Sequence, residues 1–476
     1  MSNIPSANYS SRKVSRENRR LLIATTFVAL QLVAVFTAIG QTLPPAGDTS
    51  TLKQIILFGR HGVRSAAEPT SVIQVFASRP YPAFEVQAGY LTPRGAQAQV
   101  LLGTYFRDYL LAEGLLTGND VSDAKSVYFR ANSIQRSNIS AASLATGLLP
   151  GASVPVHSFP LGTPDPIFDP ISAAVVTVDT ARAANEVGGI YSSGSAIASA
   201  YTSEFSLIRS TLFDYPFGTQ PPPPTPSGLV DATAVPIPLT ANTTGVATAN
   251  VINAGGVTDT LLAADPFVME YTDNLPLENV AWGQLSLDEI SQQTRIITLD
   301  FDIQMNPPYL NQLQSSNAGA HILRSMEQEV SGRNIPGAFS AQGTRLLVIN
   351  SSDAYVEGVA SLLHLRWLLP GYQPQYCAPG GSLVFELRES SAGKYFVRVF
   401  YTAQTFDQLR NLTPLTLDQP PATQQLLIPN GSNDSKTLDV DFGRFENLLE
   451  KAINSKYVQN PATEVPPGPL TGVPLQ

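Results

Sequence analysis

Ile55-Ile56-Leu57-Phe58-Gly59-Arg60-His61-Gly62-Val63-Arg64-Ser65 is an apolar run that leads directly into a charged loop. Its first four residues are typical of a buried β-strand, and the two glycines end that strand. We therefore expect Arg60, His61 and Arg64 to emerge together at a strand end, which is where open α/β sheets bind ligands. Guanidinium groups offer forked donors that match phosphate oxygens and keep their charge. The stretch predicts an anion site around His61.

Length and composition limit the possible classes of protein. The chain has 476 residues, 43% of them hydrophobic, so it can bury a large core and exceeds one typical domain. Its net charge is -9, and Lys/Arg clusters only near the amino terminus, so nucleic acid is not an expected partner. The four histidines and the single cysteine are dispersed and lack metal-ligand spacing, so we expect no metal and no cofactor.

The amino terminus has the pattern of a targeting segment. Residues 1–20 form a basic segment, and residues 21–40 form an uncharged apolar run that ends in Ala38-Ile39-Gly40. Small residues at this spacing are typical of a signal peptide that is cleaved. The run is also long enough to span a bilayer as a signal anchor, which would be the chain's only contact with a membrane. Both alternatives predict a protein that is secreted or displayed at the cell surface.

Six Asn-x-Ser/Thr tripeptides agree with passage through the secretory pathway. Their candidate glycosylation sites are Asn138, Asn242, Asn350, Asn411, Asn430 and Asn433. Cys377 is the only cysteine, so no intrachain disulfide can form, whereas secreted proteins often contain several.

Two further apolar runs, Ser126 to Arg130 and Arg345 to Ile349, predict buried strands. The first leads through a short loop to a helix that begins near Arg136, where backbone donors favour an anion. The second is followed directly by Ser352 and Asp353. Because the carboxyl ends of parallel strands meet at one edge of a sheet, we expect these polar residues to converge with the histidine of the first strand.

Other local patterns predict more of the fold. Thr92 can cap a helix that has Pro93 as its first residue. The runs Ser382 to Leu387 and Tyr395 to Tyr401 predict an antiparallel strand pair joined by a turn.

The pattern Arg60-His61-Gly62-Val63-Arg64 resembles the signature of the histidine acid phosphatases, branch 2 of the histidine phosphatase superfamily, which includes fungal acid phosphatases and phytases. The resemblance implies that His61 is the nucleophile that takes the phosphoryl group. It also implies that Arg60 and Arg64 bind the phosphate. The fungal phytases of this family usually carry several disulfides, which this chain lacks.

The resemblance continues at the two later strand ends. Residues 128–150 resemble the family's second conserved block, which implies that Arg136 is a third phosphate ligand, with Arg130 as the competing candidate. Asp353 aligns with the family's proton donor. Ser352 stands where the family has a histidine that contacts phosphate; its hydroxyl can still donate one hydrogen bond but carries no charge.

The family's fold is an α/β, doubly wound, mostly parallel central sheet flanked by helices, with an inserted and mainly helical cap domain. Applied to this chain, it predicts a core formed by residues 51–150 and 300–455. Residues 151–299 would form the cap, including a Pro-rich loop at 216–238. Residues 456–476 are expected to be a disordered tail.

The implied activity is acid phosphomonoester hydrolysis through a phosphohistidine on His61, with Asp353 as proton donor. The alternative is a catalytically impaired phosphate-binding or surface protein of the same fold, because Ser352 replaces the family histidine. The mutase branch also uses Arg-His-Gly, but the leader, the large insertion and Arg64 favour the acid phosphatases. Lys and Arg together number 29 and form no cluster in the insertion, so a broad acid phosphatase is favoured over a dedicated phytase. The expected partner is a small phosphate monoester, and the sequence specifies no oligomeric state.

Overall fold

Strand β1 (Thr51–Arg60) lies inside an eight-stranded sheet that positions the predicted site. The computed structural model describes residues 48–242, 250–432 and 437–459. The order across the sheet is β10-β8-β7-β1-β6-β2-β3, with β9 paired to β8, and β4 and β5 form a separate two-stranded ribbon. The remaining strands in chain order are β2 (Val127–Ala131), β3 (Val156–His157), β4 (Thr240–Ala241), β5 (Ile252–Asn253), β6 (Leu346–Ser351), β7 (Ser382–Glu389), β8 (Tyr395–Ala403), β9 (Ala422–Gln425) and β10 (Val440–Asp441).

The register brings three strand ends together at one edge of the sheet. β1 and β6 are parallel, with Arg60 opposite Ser351. β6 and β2 are also parallel, with Asn350 opposite Ala131, and β3 extends the parallel half beyond β2. The other half is antiparallel and begins with the predicted pair β7 and β8. The three strands expected to deliver the site are therefore neighbours that end at the same edge.

Helices cover the sheet and build the region between residues 170 and 305. In chain order the described α-helices are α1 (Thr70–Ile73), α2 (Pro93–Ala112), α3 (Asp120–Asp123), α4 (Gln135–Leu148), α5 (Thr180–Tyr191), α6 (Gly194–Ala200), α7 (Thr202–Leu212), α8 (Gly256–Thr272), α9 (Leu287–Met305), α10 (Pro308–Ser331), α11 (Asp353–Leu362), α12 (Phe406–Asn411) and α13 (Phe442–Ala452). Short 3₁₀ turns occur at Gln74–Phe76, Ala124–Ser126, Ala232–Ala234, Val280–Gly283 and Ser455–Tyr457.

The apolar residues of β1 alternate between two hydrophobic cores, one on each face of the sheet. Ile56 and Phe58 pack into the core that includes residues of α10 and α11. Ile55 and Leu57 pack into the core formed with α2 and α4. A strand buried on both faces explains the uninterrupted apolar run in the sequence. The predicted fold class, a helix-flanked α/β sheet with a helical insertion, is confirmed.

The insertion is mainly helical, as expected. Its α7, α8 and α9 pack in a second hydrophobic core, which also includes residues outside the insertion such as Ile73, Tyr81 and Leu310. Its Pro-rich loop, residues 216–238, contains only the 3₁₀ turn at Ala232–Ala234. Two elements cross the predicted limits of residues 151–299: β3 joins the central sheet, and α9 runs past residue 299. The domain limits remain predictions.

Predictions at the two termini fall largely on residues beyond those described. The basic segment 1–20 and the leader 21–40 both lie outside the described residues. Within the described ranges, no helix is both long and apolar enough to cross a membrane. Of the predicted tail 456–476, the first residues continue a helical turn that begins at Ser455, and residues 460–476 lie outside the described ranges.

Two of the six candidate glycosylation sites need correction. Asn138 is 1% exposed inside α4, and its amide donates to the carbonyls of Asn132 and Ile134. Asn350 is 3% exposed in β6. Folded structure leaves no room for a glycan at either position. Asn411 and Asn430 are exposed, Asn242 is partly exposed, and Asn433 lies outside the described residues, so these four remain predictions.

Candidate active site

The loop after β1 is fixed by hydrogen bonds from three sides. The backbone N–H of His61 donates to Ser351 O at 2.9 Å, and that of Gly62 donates to Ser140 Oγ at 2.9 Å. Thr92 caps α2 as predicted, accepting from Gly95 N at 2.9 Å, and Pro93 begins the helix. A Cβ at Gly95 would lie 2.1 Å from the carbonyl oxygen of Val63, so only glycine lets α2 approach the loop this closely. The loop is preorganised by the fold.

His61 is buried, with 1% of its surface exposed. Its Nδ1 lies 2.8 Å from the carbonyl oxygen of Gly62, which can only accept, so Nδ1 carries the hydrogen and Nε2 keeps its lone pair. Burial and the nearby positive charges of Arg136, Arg60 and Arg64 hold the pKa of His61 well below its usual range. The imidazole therefore stays neutral at acidic pH, which is the form that can attack phosphorus.

Arg60 connects the end of β1 to the start of α11. Its guanidinium is buried, donates through Nη1 to Cys377 O at 2.5 Å, and pairs through Nη2 with Asp353 Oδ2 at 2.9 Å. Asp353 is the first residue of α11, so the two residues predicted as phosphate ligand and proton donor contact each other directly.

Arg64 is held by an acidic residue of the insertion. Its Nη1 and Nη2 form a two-pronged ion pair with the carboxylate of Asp265 on α8, at 2.7 and 2.8 Å. The same carboxylate accepts from the N–H of Ala67 at 3.2 Å. Nearby Arg64 and Arg60 and these hydrogen bonds outweigh burial and lower the pKa of Asp265, which remains ionised. A carboxylate in this geometry fixes the guanidinium plane.

Arg136 lies in the first turn of α4, whose backbone donors already favour an anion. Its Nη1 donates to Gly89 O at 3.2 Å, and its buried Nε has no acceptor among the described residues. Burial and the proximity of Arg64 lower the pKa of Arg136 to about 10, although Asp353 opposes the shift. This guanidinium is the one of the three without a carboxylate partner in the described part of the chain.

The competing candidate Arg130 is committed elsewhere. Its Nη2 contacts both carboxylate oxygens of the buried Asp165, at 2.7 and 2.8 Å. The structure therefore favours Arg136 over Arg130 as the third arginine of the pocket, although its role in binding phosphate remains a prediction.

Ser352 is the N-cap residue of α11 and is partly buried. In the described structure its hydroxyl makes no capping bond to the helix backbone, so this oxygen is free to turn toward an anion. The hydroxyl occupies the position between the end of β6 and Asp353 at which the family resemblance implies a histidine.

The other three histidines lie in other surroundings. His157 stacks on Tyr128 in the sheet, and His321 is buried in α10, where burial lowers its pKa to about 4. His364 follows the end of α11 and is exposed. None of the three replaces the family histidine through any contact that the described structure shows. The part of the chain that the structure describes also contains no group of three or more His, Cys, Asp or Glu side chains that could hold a metal ion.

Two groups of the site were not predicted from the sequence. Asp265 follows Arg64 by 201 positions, and the Cys377 carbonyl follows Arg60 by 317. A backbone carbonyl has no sequence signal. Asp265 has a weak one, because it is a charged residue within the apolar run from Leu261 to Met269.

Comparison with known proteins agrees with this geometry. Residues 51–189 match the family model of the histidine phosphatase superfamily, branch 2. A phytase of Escherichia coli is 26% identical over 398 residues, which are 79% of this chain and 86% of that protein. A glucose-1-phosphatase of Salmonella typhimurium is 26% identical over 415 residues, covering 84% and 92%. The structure of Hafnia alvei phytase in complex with tartrate superposes with a TM-score of 0.77 at 26% identity, covering 87% of this chain and 100% of that one.

The matched region contains β1, the Arg-His-Gly loop and the helix that carries Arg136, and the structural match extends over the sheet and the insertion alike. This chain is therefore similar, over most of its length, to phosphomonoester hydrolases of the phytase and glucose-1-phosphatase type, and its residues 51–189 match branch 2 of the histidine phosphatase superfamily.

Proposed function

We propose that this chain is an acid phosphomonoesterase that works through a phosphohistidine on His61. One observation carries the proposal: the neutral imidazole lies buried beside Arg60, Arg64 and Arg136, with Nδ1 held by a carbonyl and Nε2 free. Three guanidiniums face only two carboxylates, those of Asp353 and Asp265, which leaves positive charge for an anion. The names of the relatives, phytase and glucose-1-phosphatase, support a phosphate monoester as substrate.

In the first step Nε2 of His61 attacks phosphorus in line with the ester oxygen. The N–P bond forms as the P–O bond to the alcohol breaks, and Asp353 gives its proton to the departing oxygen. The guanidiniums bind the equatorial oxygens, where negative charge is held through the transition state. In the second step water attacks phosphorus, Asp353 takes a proton from that water, and the N–P bond breaks to release phosphate.

The ion pair between Arg60 and Asp353 has a consequence for this sequence of steps. In the free protein Asp353 occupies Nη2 of Arg60, so a bound phosphate competes with the carboxylate for that donor. Phosphate binding is therefore expected to release Asp353 from Arg60 and leave its carboxyl group facing the departing oxygen. Until substrate binds, the ion pair keeps Arg60 and Asp353 next to each other at the proposed phosphate site.

The proposed mechanism requires an acidic optimum. Asp353 must carry a proton at the start of the first step, while His61 must be neutral, and the lowered pKa of His61 allows both at once. We expect maximal turnover at roughly pH 3 to 6. Flat activity from about pH 4 to 8 would contradict the role of Asp353 as acid.

The decisive experiment is release of an aryl alcohol from an aryl phosphate between about pH 3 and 8, with His61→Ala beside the parent protein. We expect acid-side turnover in the parent and loss of about 10⁴-fold or more in the variant. A reaction with ³²P-labelled substrate that is stopped with alkaline denaturant, and that leaves label on the protein which is stable to base and labile to acid, would identify the phosphohistidine.

The alternative function rests on Ser352. A serine in place of the family histidine supplies one neutral hydrogen bond and no charge, so a phosphate-binding protein with impaired turnover is the second candidate. A folded parent protein that binds orthophosphate or vanadate but releases no aryl alcohol at any pH would favour this candidate.

We also propose a secretory or cell-surface location, supported by the basic segment 1–20 and the apolar run 21–40. Amino-terminal sequencing of the protein recovered from its native host tests the two forms of this proposal. A new terminus near Gln41 indicates a cleaved signal peptide, and an intact terminus in the membrane fraction indicates an anchor.

A further inference from the structure

A cavity of about 480 Å³ begins at the residue that follows Arg64. One wall is the loop 65–70 and the other is the loop 83–88. The walls are joined where the N–H of Gly89 donates to Ala66 O at 2.7 Å and where Ser65 Oγ donates to Gln87 O. The cavity is large enough for an organic group of sugar or aryl size.

Each wall is attached to one of the proposed phosphate arginines. Arg64 Nη1 donates to Ser65 O at 2.9 Å, and Arg136 Nη1 donates to Gly89 O at 3.2 Å. Asp265 holds Arg64 and the N–H of Ala67 with the same carboxylate. Both guanidiniums are thus bonded to backbone carbonyls in or next to the cavity walls, and we infer that the alcohol part of a phosphate ester held by these arginines extends into this cavity.

The cavity carries negative charge and no positive charge. Of its lining residues Glu68 is the only charged one, and the others are small, polar or apolar, such as Thr70, Phe84 and Gln87. A second phosphate group on the substrate would meet this carboxylate rather than a cation.

The insertion offers no compensating cation. The sequence has no lysine between Lys125 and Lys394, and residues 151–299 contain three arginines. Each of the three is paired with an acid and stacks on an aromatic ring: Arg182 with Glu186 and Tyr309, Arg209 with Asp231 and Tyr215, and Arg295 with Glu204 and Tyr201.

The geometry points to a substrate class: esters that carry a single phosphate on an uncharged or cationic group of sugar or aryl size, with Glu68 as the residue that rejects polyphosphates. This inference rests on the proposed function of the same site. It separates this chain in substrate preference from the phytases with which it shares its fold. The excess positive charge of Arg60, Arg64 and Arg136 suffices for one phosphate. The charged residue that lines the cavity, Glu68, is acidic.

The test compares Glu68→Lys with a matched control, Glu85→Lys. Both changes reverse one negative charge in the same part of the chain, but Glu85 is exposed and does not line the cavity. For each protein we would measure kcat/KM on an aryl phosphate, on glucose 1-phosphate and on myo-inositol hexakisphosphate at the same acidic pH. The readout is the ratio of hexakisphosphate to monophosphate activity.

We expect the parent to prefer either monophosphate by about 100-fold or more, and Glu68→Lys to raise the ratio by about tenfold. Glu85→Lys should change it less than about threefold, since its charge lies outside the cavity. Equal efficiency of the parent on hexakisphosphate and monophosphates would overturn the inference, and so would the same change of ratio in both variants.

A binding measurement keeps the inference separate from the proposed activity. Calorimetric titration with myo-inositol hexakissulfate and with orthophosphate needs no turnover. Glu68→Lys should bind the hexakissulfate about tenfold more tightly than the parent relative to orthophosphate, and Glu85→Lys should not. An inactive parent with this binding pattern would refute the proposed function and support the cavity assignment, whereas unchanged relative binding would refute the assignment.

Discussion

Two clusters of buried arginines lie at opposite ends of β1 and differ in how their charges are matched. At the carboxyl end, Arg60, Arg64 and Arg136 face two carboxylates. At the amino end, Arg388 lies opposite Leu52 in the sheet and contacts Asp48, Glu113 and Glu386, and Arg398 contacts Asp48 and Asp439. The first cluster has an excess of cations, and the second has an excess of acidic groups.

The difference shows how one residue type serves function in one place and stability in another. All three guanidinium nitrogens of Arg388 have acceptors: Nε donates to Ser50 Oγ, Nη1 to Glu386 and Nη2 to Glu113. Arg136 instead has a buried Nε without an acceptor in the described structure. A buried donor left unmatched costs about 1 to 3 kcal/mol, so the active-site cluster is the one that gains when an anion binds.

One group in each cluster keeps its required charge state in acid, in opposite ways. Burial and nearby arginines lower the pKa of His61, which favours the neutral imidazole. Although burial opposes it, hydrogen bonds from Ser50 and Arg398 lower the pKa of Asp48 to about 2, which keeps that carboxylate ionised. The ion pairs of Asp48 are thus kept in acid, whereas burial raises the pKa of Glu386 in the same cluster.

Among the arginine variants the largest effect on activity is expected from Arg136→Ala, which removes the guanidinium without a carboxylate partner in the described structure. We expect kcat/KM to fall by about 10² to 10³, because one charged donor to the phosphate is lost. Removing a positive charge near His61 favours the imidazolium, so the pKa of His61 rises and the acid-side loss of activity moves to higher pH. Arg136→Lys is the control and should keep the pH profile while losing part of the rate. An unshifted acid limb in Arg136→Ala would contradict this electrostatic coupling.

A stability loss of about 3 to 5 kcal/mol is expected for Arg388→Ala, because Glu113 and Glu386 lose their buried cation and Asp48 keeps only Arg398. Urea unfolding measures the loss of free energy. Activity per folded molecule should remain within about twofold of the parent, since the cluster lies at the other end of β1. If the activity of Arg388→Ala fell as far as that of Arg136→Ala, the two clusters would not differ in function.

A smaller effect is expected for Asp265→Asn, which keeps the shape of the residue that positions Arg64 but removes its charge. We expect kcat to fall about tenfold because Arg64 is held less firmly in the plane that the phosphate requires. Steady-state kinetics on an aryl phosphate and inhibition by orthophosphate measure the change. Parental kcat in Asp265→Asn would show that Arg64 is held in place without the charge of this partner.

Ser352→Ala should lower kcat/KM about two- to tenfold, because one neutral hydrogen bond to the phosphate is lost. Thermal stability should change little, because the hydroxyl makes no capping bond. Ser352→His is the informative partner variant, and a gain in turnover there would show that the serine limits the rate. Identical kinetics of the parent and Ser352→Ala would remove Ser352 from the phosphate site.

The smallest effect is expected for Asp48→Asn and concerns the pH dependence of stability. A carboxylate with a folded pKa of about 2 stabilises the protein above the unfolded value near 3.8, and this contribution is lost as the pH falls through 2. The fall in Tm between about pH 5 and pH 2.5 should therefore be smaller in Asp48→Asn than in the parent. Equal slopes would show that this ion pair does not contribute to acid tolerance.

Most of the candidate site could be predicted from the sequence, because its residues lie close to strand ends. His61, Arg64, Arg136 and Asp353 could be placed because each follows an apolar run, and parallel strands end at one edge. The capped start of α2 was likewise predictable, since Thr92 and Pro93 act within their own helix turn. Buried Asn138 and Asn350 show the reverse: a tripeptide pattern contains no information on whether its asparagine reaches the surface.

Local sequence was thus sufficient for the strand that leads to His61 and for the helix starts, because periodicity and caps act over a few residues. The class of chemistry followed from the resemblance carried by the Arg-His-Gly loop. The choice of Arg136 over Arg130, the pairing of Arg64 with Asp265 and the acidic cavity beside them depended on the folded chain. A guanidinium binds whichever carboxylate the fold brings within 3 Å, and for Arg64 that partner lies 201 residues away. Charge balance at a site is a property of three-dimensional neighbours, and it distinguishes a structural ion pair from a site that binds phosphate.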